Sequence, residues 1–162
     1  MKAARVVAFD PGYERLGVAV LERGARGRDA LLYSNCFRTK KTLSFPERLR
    51  LIGEEAERAI KAHAPDVVAL ETVYFEKNAK TAMQVAEVRG VLSYIAASHG
   101  LPLAEYTPLQ VKIAVTGYGK SDKRAVATLV ARLVELPARK RLDDELDAIA
   151  VGVTCLAATR RA

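Results

Sequence analysis

An α/β domain, with a mixed five-stranded sheet flanked by helices, is the fold class that the 162-residue chain predicts, and three observations predict it. Before about Lys41 the sequence runs in short apolar stretches parted by turn residues, the pattern of hairpin-linked antiparallel strands. After it helical and strand signals alternate, and strands separated by helical crossovers pair parallel. The apolar fraction, 50%, is enough at this length for a sizeable core, so residues 1–162 read as one domain.

The first three strands are "AARVVAFD", "ERLGVAVLE" and "DALLYSNCFRT", divided by Pro11-Gly12 and by Gly24 to Gly27. Ser44-Phe45-Pro46-Glu47 opens a helix, with Ser44 as cap and Pro46 in the first turn, and Leu49, Ile52, Ala56 and Ala59-Ile60 mark its apolar face to about Ala62. "DVVALE", Asp66 to Glu71, is a strand buried on both faces, and a long helix from about Asn78 to His99 follows. "LPLAEYT" is the fifth strand. Helices are predicted from Pro108 to about Val115, Asp122 to about Val134 and Asp143 to Thr159, broken at Gly117 to Gly119 and at Pro137.

Net charge is +7 with a pI near 9.6, a surplus that suits an anionic partner such as nucleic acid. Cys36 and Cys155 lie far apart beside apolar neighbours and read as small buried hydrophobes, neither a disulfide framework nor a metal motif. No charged leader with an apolar core is visible, and no apolar run approaches the roughly 18 residues of a membrane span. The expected location is the cytoplasm, with no membrane partner.

The stretch "RVVAFDPGYERLGVAV" ends a buried strand in a carboxylate, Asp10, and an ionised acid there needs a partner. "DVVALE" repeats the pattern and ends in Glu71. In "RLDDELDAIAVGVTCLAA" the last helix has almost no polar face, yet it carries Asp147 inside its apolar run. At 100° per residue Asp144 is about 60° from Asp147 and Asp143 about 40°, so either shares its face, whereas Glu145 points away. Dipole compensation accounts for acids in a first turn and accounts poorly for Asp147. Acids alone, with no His or Cys set, suit a hard divalent cation, Mg²⁺ or Mn²⁺. Carboxylates holding two such ions suit phosphodiester hydrolysis on a polyanion.

The segments "FDPGYERLGVAVLE", "CFRT", "ERLRLI", "PDVVALETVYFEKNAKTAMQVAEVRGVL", "LPLAEYTPLQVKIAVTGYGKSDK" and "LDDELDAIAVGVT" resemble, in register from about Val6 to Ala158, the RuvC Holliday-junction resolvases of the ribonuclease-H-like fold. The resemblance implies that Asp10, Glu71, Asp144 and Asp147 are the catalytic, metal-binding set, and it chooses Asp144 over Asp143. It implies that Tyr74 takes the place of an aromatic, usually Phe, that stacks on a base near the cut, with the neighbouring Phe75 as the other candidate ring, and that Lys112 and Lys123 match DNA-binding positions; Lys77 is a further DNA-binding candidate. Lys120, in "GYGKSDK", offers a phosphate contact of its own. The family's activity implies magnesium-dependent paired nicks in opposed strands of a four-way junction, leaving 5′-phosphate and 3′-hydroxyl ends. Family members are homodimers and work beside RuvA and RuvB, and the Asn78–His99 helix, with Ala79, Ala86 and Gly90, is the expected dimer face.

Two readings of other classes fit less well. Actin-like sugar kinases and ATPases also open with an acid–Gly strand and hairpin, but they need two such domains and Gly-rich phosphate loops, for which 162 residues leave little room. A non-catalytic junction-binding module keeps a basic surface and has no reason to keep four converging acids.

Overall fold

The computed structural model describes residues 4–24, 27–72 and 79–160. Strand β1 (Arg5–Asp10) pairs antiparallel with β2 (Arg15–Glu22), and β2 with β3 (Asp29–Arg38). Helix α1 (Phe45–His63) leads to β4 (Val67–Glu71), which pairs parallel with β1; α2 (Ala79–Ser98) leads to β5 (Leu103–Tyr106), parallel to β4. Then come α3 (Pro108–Thr116), α4 (Lys123–Leu133), β6 (Val134–Glu135) and α5 (Asp143–Arg160), and the sheet order is β5-β4-β1-β2-β3-β6. Each predicted strand and helix is present.

The sheet has one strand more than the sequence predicts. Val134, expected to end a helix, leaves α4 with extended backbone and pairs with Asp29 on the outer edge of β3. Its β-branched side chain is fully buried there, which local helical periodicity does not reveal.

Strand alternation sorts the core into two layers. Val6, Ala8, Ala19, Val67 and Ala69 face α3, α4 and α5, while Val7, Phe9, Val18, Val68 and Leu70 face α1 and α2. The alanines on the first face let α5 lie close to the sheet. Two glycines mark where the approach is tightest: a Cβ on Gly152 would strike Leu21, and one on Gly17 would strike the Asp144 carbonyl and lie 3.0 Å from the Asp10 Cβ.

On the other side α2 leaves a stripe uncovered. Met83 (63% exposed), Glu87, Gly90, Tyr94 (73%) and Ala97 recur at four- and three-residue steps along it. Ala79 is exposed as expected, but Ala86 is half-buried, so the open face is built by larger side chains than the sequence suggests.

Candidate active site

The same alternation that buries Ala8 and Ala69 sends the next residues, Asp10 and Glu71, out of the ends of two neighbouring parallel strands on the α5 face. They stand one step beyond the Phe9–Leu70 pair. Helix α5 then crosses this end with its first turns, bringing Asp144 and Asp147. Asp144 reaches the site because its backbone rests on Gly17, the register partner of Asp10.

The electrostatics record the convergence. Burial, then the charges of Glu71, Asp147 and Asp144, push the Asp10 pKa up to about 8. Burial, then Asp147, push Glu71 up to about 7. Asp147 is also raised, chiefly by burial, although Lys123 pulls it down. The Lys123 Nζ lies 3.4 Å from Asp147 Oδ2, and its charge acts on Asp10 and Glu71 as well. Its own pKa is raised by Asp147.

Asp144 has different neighbours. Arg15 Nη1 is 3.4 Å from its Oδ2, and the Cys36 thiol faces the same oxygen at 3.9 Å. Cys36 is therefore not a buried hydrophobe: it is half-buried beside a site carboxylate, and burial and Asp144 hold its pKa up. Cys155 is buried as expected. Arg15 escaped the sequence reading, though the tight β1–β2 connection was the signal that places the first residue of β2 beside the end of β1. Asp143, the alternative to Asp144, is exposed.

Clefts among the described residues open on these acids. One, of about 250 Å³, is lined by Glu71, Lys112, Lys123 and Asp147. Another, of about 370 Å³, runs from Arg15 and Asp144 past Lys123 to Thr81 and Val85 of α2. Lys112 projects from α3, whose start is fixed by a capping box between Thr107 and Gln110. The turn after α3 is knotted around Thr116: its hydroxyl donates to the Lys112 carbonyl (2.7 Å), accepts from the Tyr118 N–H (3.0 Å) and lies 2.7 Å from the Ser121 hydroxyl. Lys120 is exposed in this turn. Tyr74 and Lys77 lie outside the described residues.

Glu145, set aside in the sequence as pointing away from the acids, does so, but into protein. It is 3% exposed and accepts from Ser34 Oγ at 2.5 Å and from Arg139.

The acids fit a divalent cation by their chemistry. They are all oxygen donors, their mutual repulsion is only partly offset by Lys123 and Arg15, and a bound cation relieves it. Among the described residues no group of three or more His, Cys, Asp or Glu side chains is gathered closely enough to hold a metal ion as they stand, so the acids would have to draw together around one. No helix among them is long and apolar enough to cross a membrane.

The chain is similar over nearly its whole length to known proteins. A sequence profile described as crossover junction endodeoxyribonuclease RuvC matches residues 6–155. A protein of that description from Thermosipho melanesiensis is 42% identical over 157 residues, 97% of this chain and 99% of its own. Another, from Desulforamulus reducens, is 39% identical over 148 residues, 91% and 90% of the two chains. The structure of T. thermophilus RuvC in complex with a Holliday junction substrate is similar with a TM-score of 0.90 and 27% identity, over 98% of this chain and 96% of that one. The yeast mitochondrial Holliday junction resolvase, with a TM-score of 0.73 and 12% identity over 98% and 80% of the chains, shows the same fold.

Proposed function

Since the chain belongs to the RuvC family of crossover junction endodeoxyribonucleases, we propose that it resolves Holliday junctions with Asp10, Glu71, Asp144 and Asp147 as its catalytic, metal-binding set. The observation that carries this reading is the raised Asp10: a carboxylate at a strand end, pressed by three other acids, is a site waiting for positive charge.

Two Mg²⁺ ions, or Mn²⁺ in their place, would be held by these four carboxylates; bound there they would supply the charge that makes water a nucleophile and stabilises the leaving oxygen. Asp10 and Glu71, side by side at the ends of β1 and β4, would hold the cations together with Asp144 and Asp147 from α5. Lys123 and Lys112 meet the scissile strand's phosphates, with Lys120 as a more distant positioning charge. Hydrolysis adds water across the P–O3′ bond and leaves a 5′-phosphate and a 3′-hydroxyl.

Tyr74 supplies the ring that stacks on a base beside the cut, and Lys77 a further DNA contact. A four-way junction has approximate two-fold symmetry, so two copies joined through the Met83, Glu87, Gly90 and Tyr94 face of α2 address opposed strands. Residues 1–162 act as a nuclease domain, in the cytoplasm and beside RuvA and RuvB.

The test is to incubate the protein with a mobile synthetic four-way junction in Mg²⁺, Mn²⁺ or EDTA and to map cuts on all four strands. Symmetric cuts in one opposed pair, absent in EDTA, are expected. Cuts that ignore symmetry, or persist in EDTA, overturn the reading.

A further inference from the structure

Glu145 is a buried acid that the proposed chemistry does not use. Its carboxylate accepts from Ser34 Oγ at 2.5 Å on Oε1, from Arg139 Nη2 on the same oxygen and from Arg139 Nη1 at 3.2 Å on Oε2. Arg139 also donates to the Ser34 carbonyl (3.1 Å) and hydroxyl (3.0 Å), so one guanidinium joins the 136–142 loop to β3 and to α5 at once. Arg141 adds charge from the same loop, with Nε 3.6 Å from Glu145 Oε1.

The anchoring is in step with the site. Ser34 and Cys36 are alternate residues of β3 and point to one face of the sheet. Ser34 holds Glu145 and Cys36 faces Asp144, so two successive residues of α5 are seated on two successive same-face positions of one strand. The Asp144 backbone is meanwhile pressed on Gly17. A buried carboxylate with a guanidinium fork and a hydroxyl is strongly directional, and losing one partner leaves the others unpaired.

We infer that the Glu145–Arg139–Ser34 cluster is a latch that fixes the first turn of α5 and so positions the Asp144 carboxylate for the cation. Glu145 and Arg139 are positioning residues: neither touches the reacting atoms. The inference rests on Asp144 being a metal ligand, as proposed above.

The experiment compares Glu145→Gln, Arg139→Ala, Arg139→Lys and Ser34→Ala with wild type and with Asp144→Asn. Three quantities are read: hydrogen exchange at the amides of residues 144–147 in metal-free protein, junction affinity in EDTA, and the Mn²⁺ concentration for half-maximal cleavage. Glu145→Gln and Arg139→Ala should speed exchange in that turn, leave junction affinity unchanged and raise the Mn²⁺ requirement about tenfold, the usual cost of removing support behind a ligand. Excess Mn²⁺ should restore their rate, but not that of Asp144→Asn. Arg139→Lys, which keeps the charge and loses the fork, and Ser34→Ala, which removes one bond, should fall between them and wild type. The Arg139 side chain is 45% exposed against 4% for Glu145, so its variants keep the test open if Glu145→Gln does not fold. Wild-type exchange and Mn²⁺ requirement in Arg139→Ala overturn the latch. Normal cleavage by Asp144→Asn overturns the site reading instead, and the exchange data then judge the latch alone.

Discussion

Strand β1 carries charge at both ends, and the two ends are treated oppositely. At its start, Arg5 donates to Glu22 Oε2 from Nε (2.8 Å) and to the His63 carbonyl, while Asp66 Oδ2 accepts from the Ala4 and Arg5 amides at 2.8 Å each. At its finish, Asp10 faces three further acids, and the nearby cations, Lys123 and Arg15, stand 3.4 Å from Asp147 and Asp144. One end satisfies its charges within the protein and stiffens the sheet. The other withholds satisfaction, a deficit of positive charge that a bound cation would relieve.

The largest effect expected is from removing a charge at the unsatisfied end. Asp10→Asn should abolish single-turnover cleavage while gel-shift binding of the junction persists, since binding rests on Lys and Arg. Asp144→Asn should cost at least about two orders of magnitude, and Asp143→Asn, at an exposed position, should cost little. The reverse order would move the site by one residue along α5.

The pH response sharpens the contrast. Asp10 and Glu71 are raised from 3.8 and 4.5 to about 8 and about 7 in the folded protein, so between about pH 4 and 8 the fold binds more protons than the unfolded chain. Stability of the metal-free protein should therefore fall as pH rises through that window. Differential scanning calorimetry in EDTA should show Tm dropping from pH 5 to pH 8, and a smaller drop for Asp10→Asn. A Tm independent of pH in wild type would remove the charge deficit.

At the satisfied end the outcome reverses. Arg5→Ala should lower stability by about 1 kcal/mol, given its partial exposure, or about 2–4 °C in Tm, and leave the cleavage rate of folded protein unchanged. The smallest change is in salt dependence: Lys112→Ala and Lys123→Ala should each flatten the log-affinity against log-salt slope by about 0.9. Lys123→Ala should also shift the pH profile of cleavage upward, because its charge lowers Asp10, Glu71 and Asp147.

The strand ends were legible from the sequence because the signal is local: "RVVAFD" and "PDVVALE" are apolar runs that close on an acid, whereas the shared face of Asp10 and Glu71 follows from the β1–β4 register. Helix geometry left Asp143 and Asp144 equal; the family resemblance chose Asp144, and in the structure it is the Asp144 carbonyl that lies against Gly17. The Ser34–Glu145 bond spans 111 residues, and no local periodicity encodes such a contact. The same holds for β6, whose pairing with β3 joins Val134 to Asp29, and for Cys36, which stands between Asn35 and Phe37 in sequence but faces Asp144 in space.

The knot around Thr116 bears on the thermodynamics of association. A lysine on a loose loop must surrender backbone freedom when it meets a ligand, at about 1–2 kcal/mol per residue fixed. With the Lys112 carbonyl, the Tyr118 amide and the Ser121 hydroxyl already tied to one side chain, much of that freedom is spent during folding. Polyanion capture by this segment should then be dominated by counterion release, with little ordering penalty.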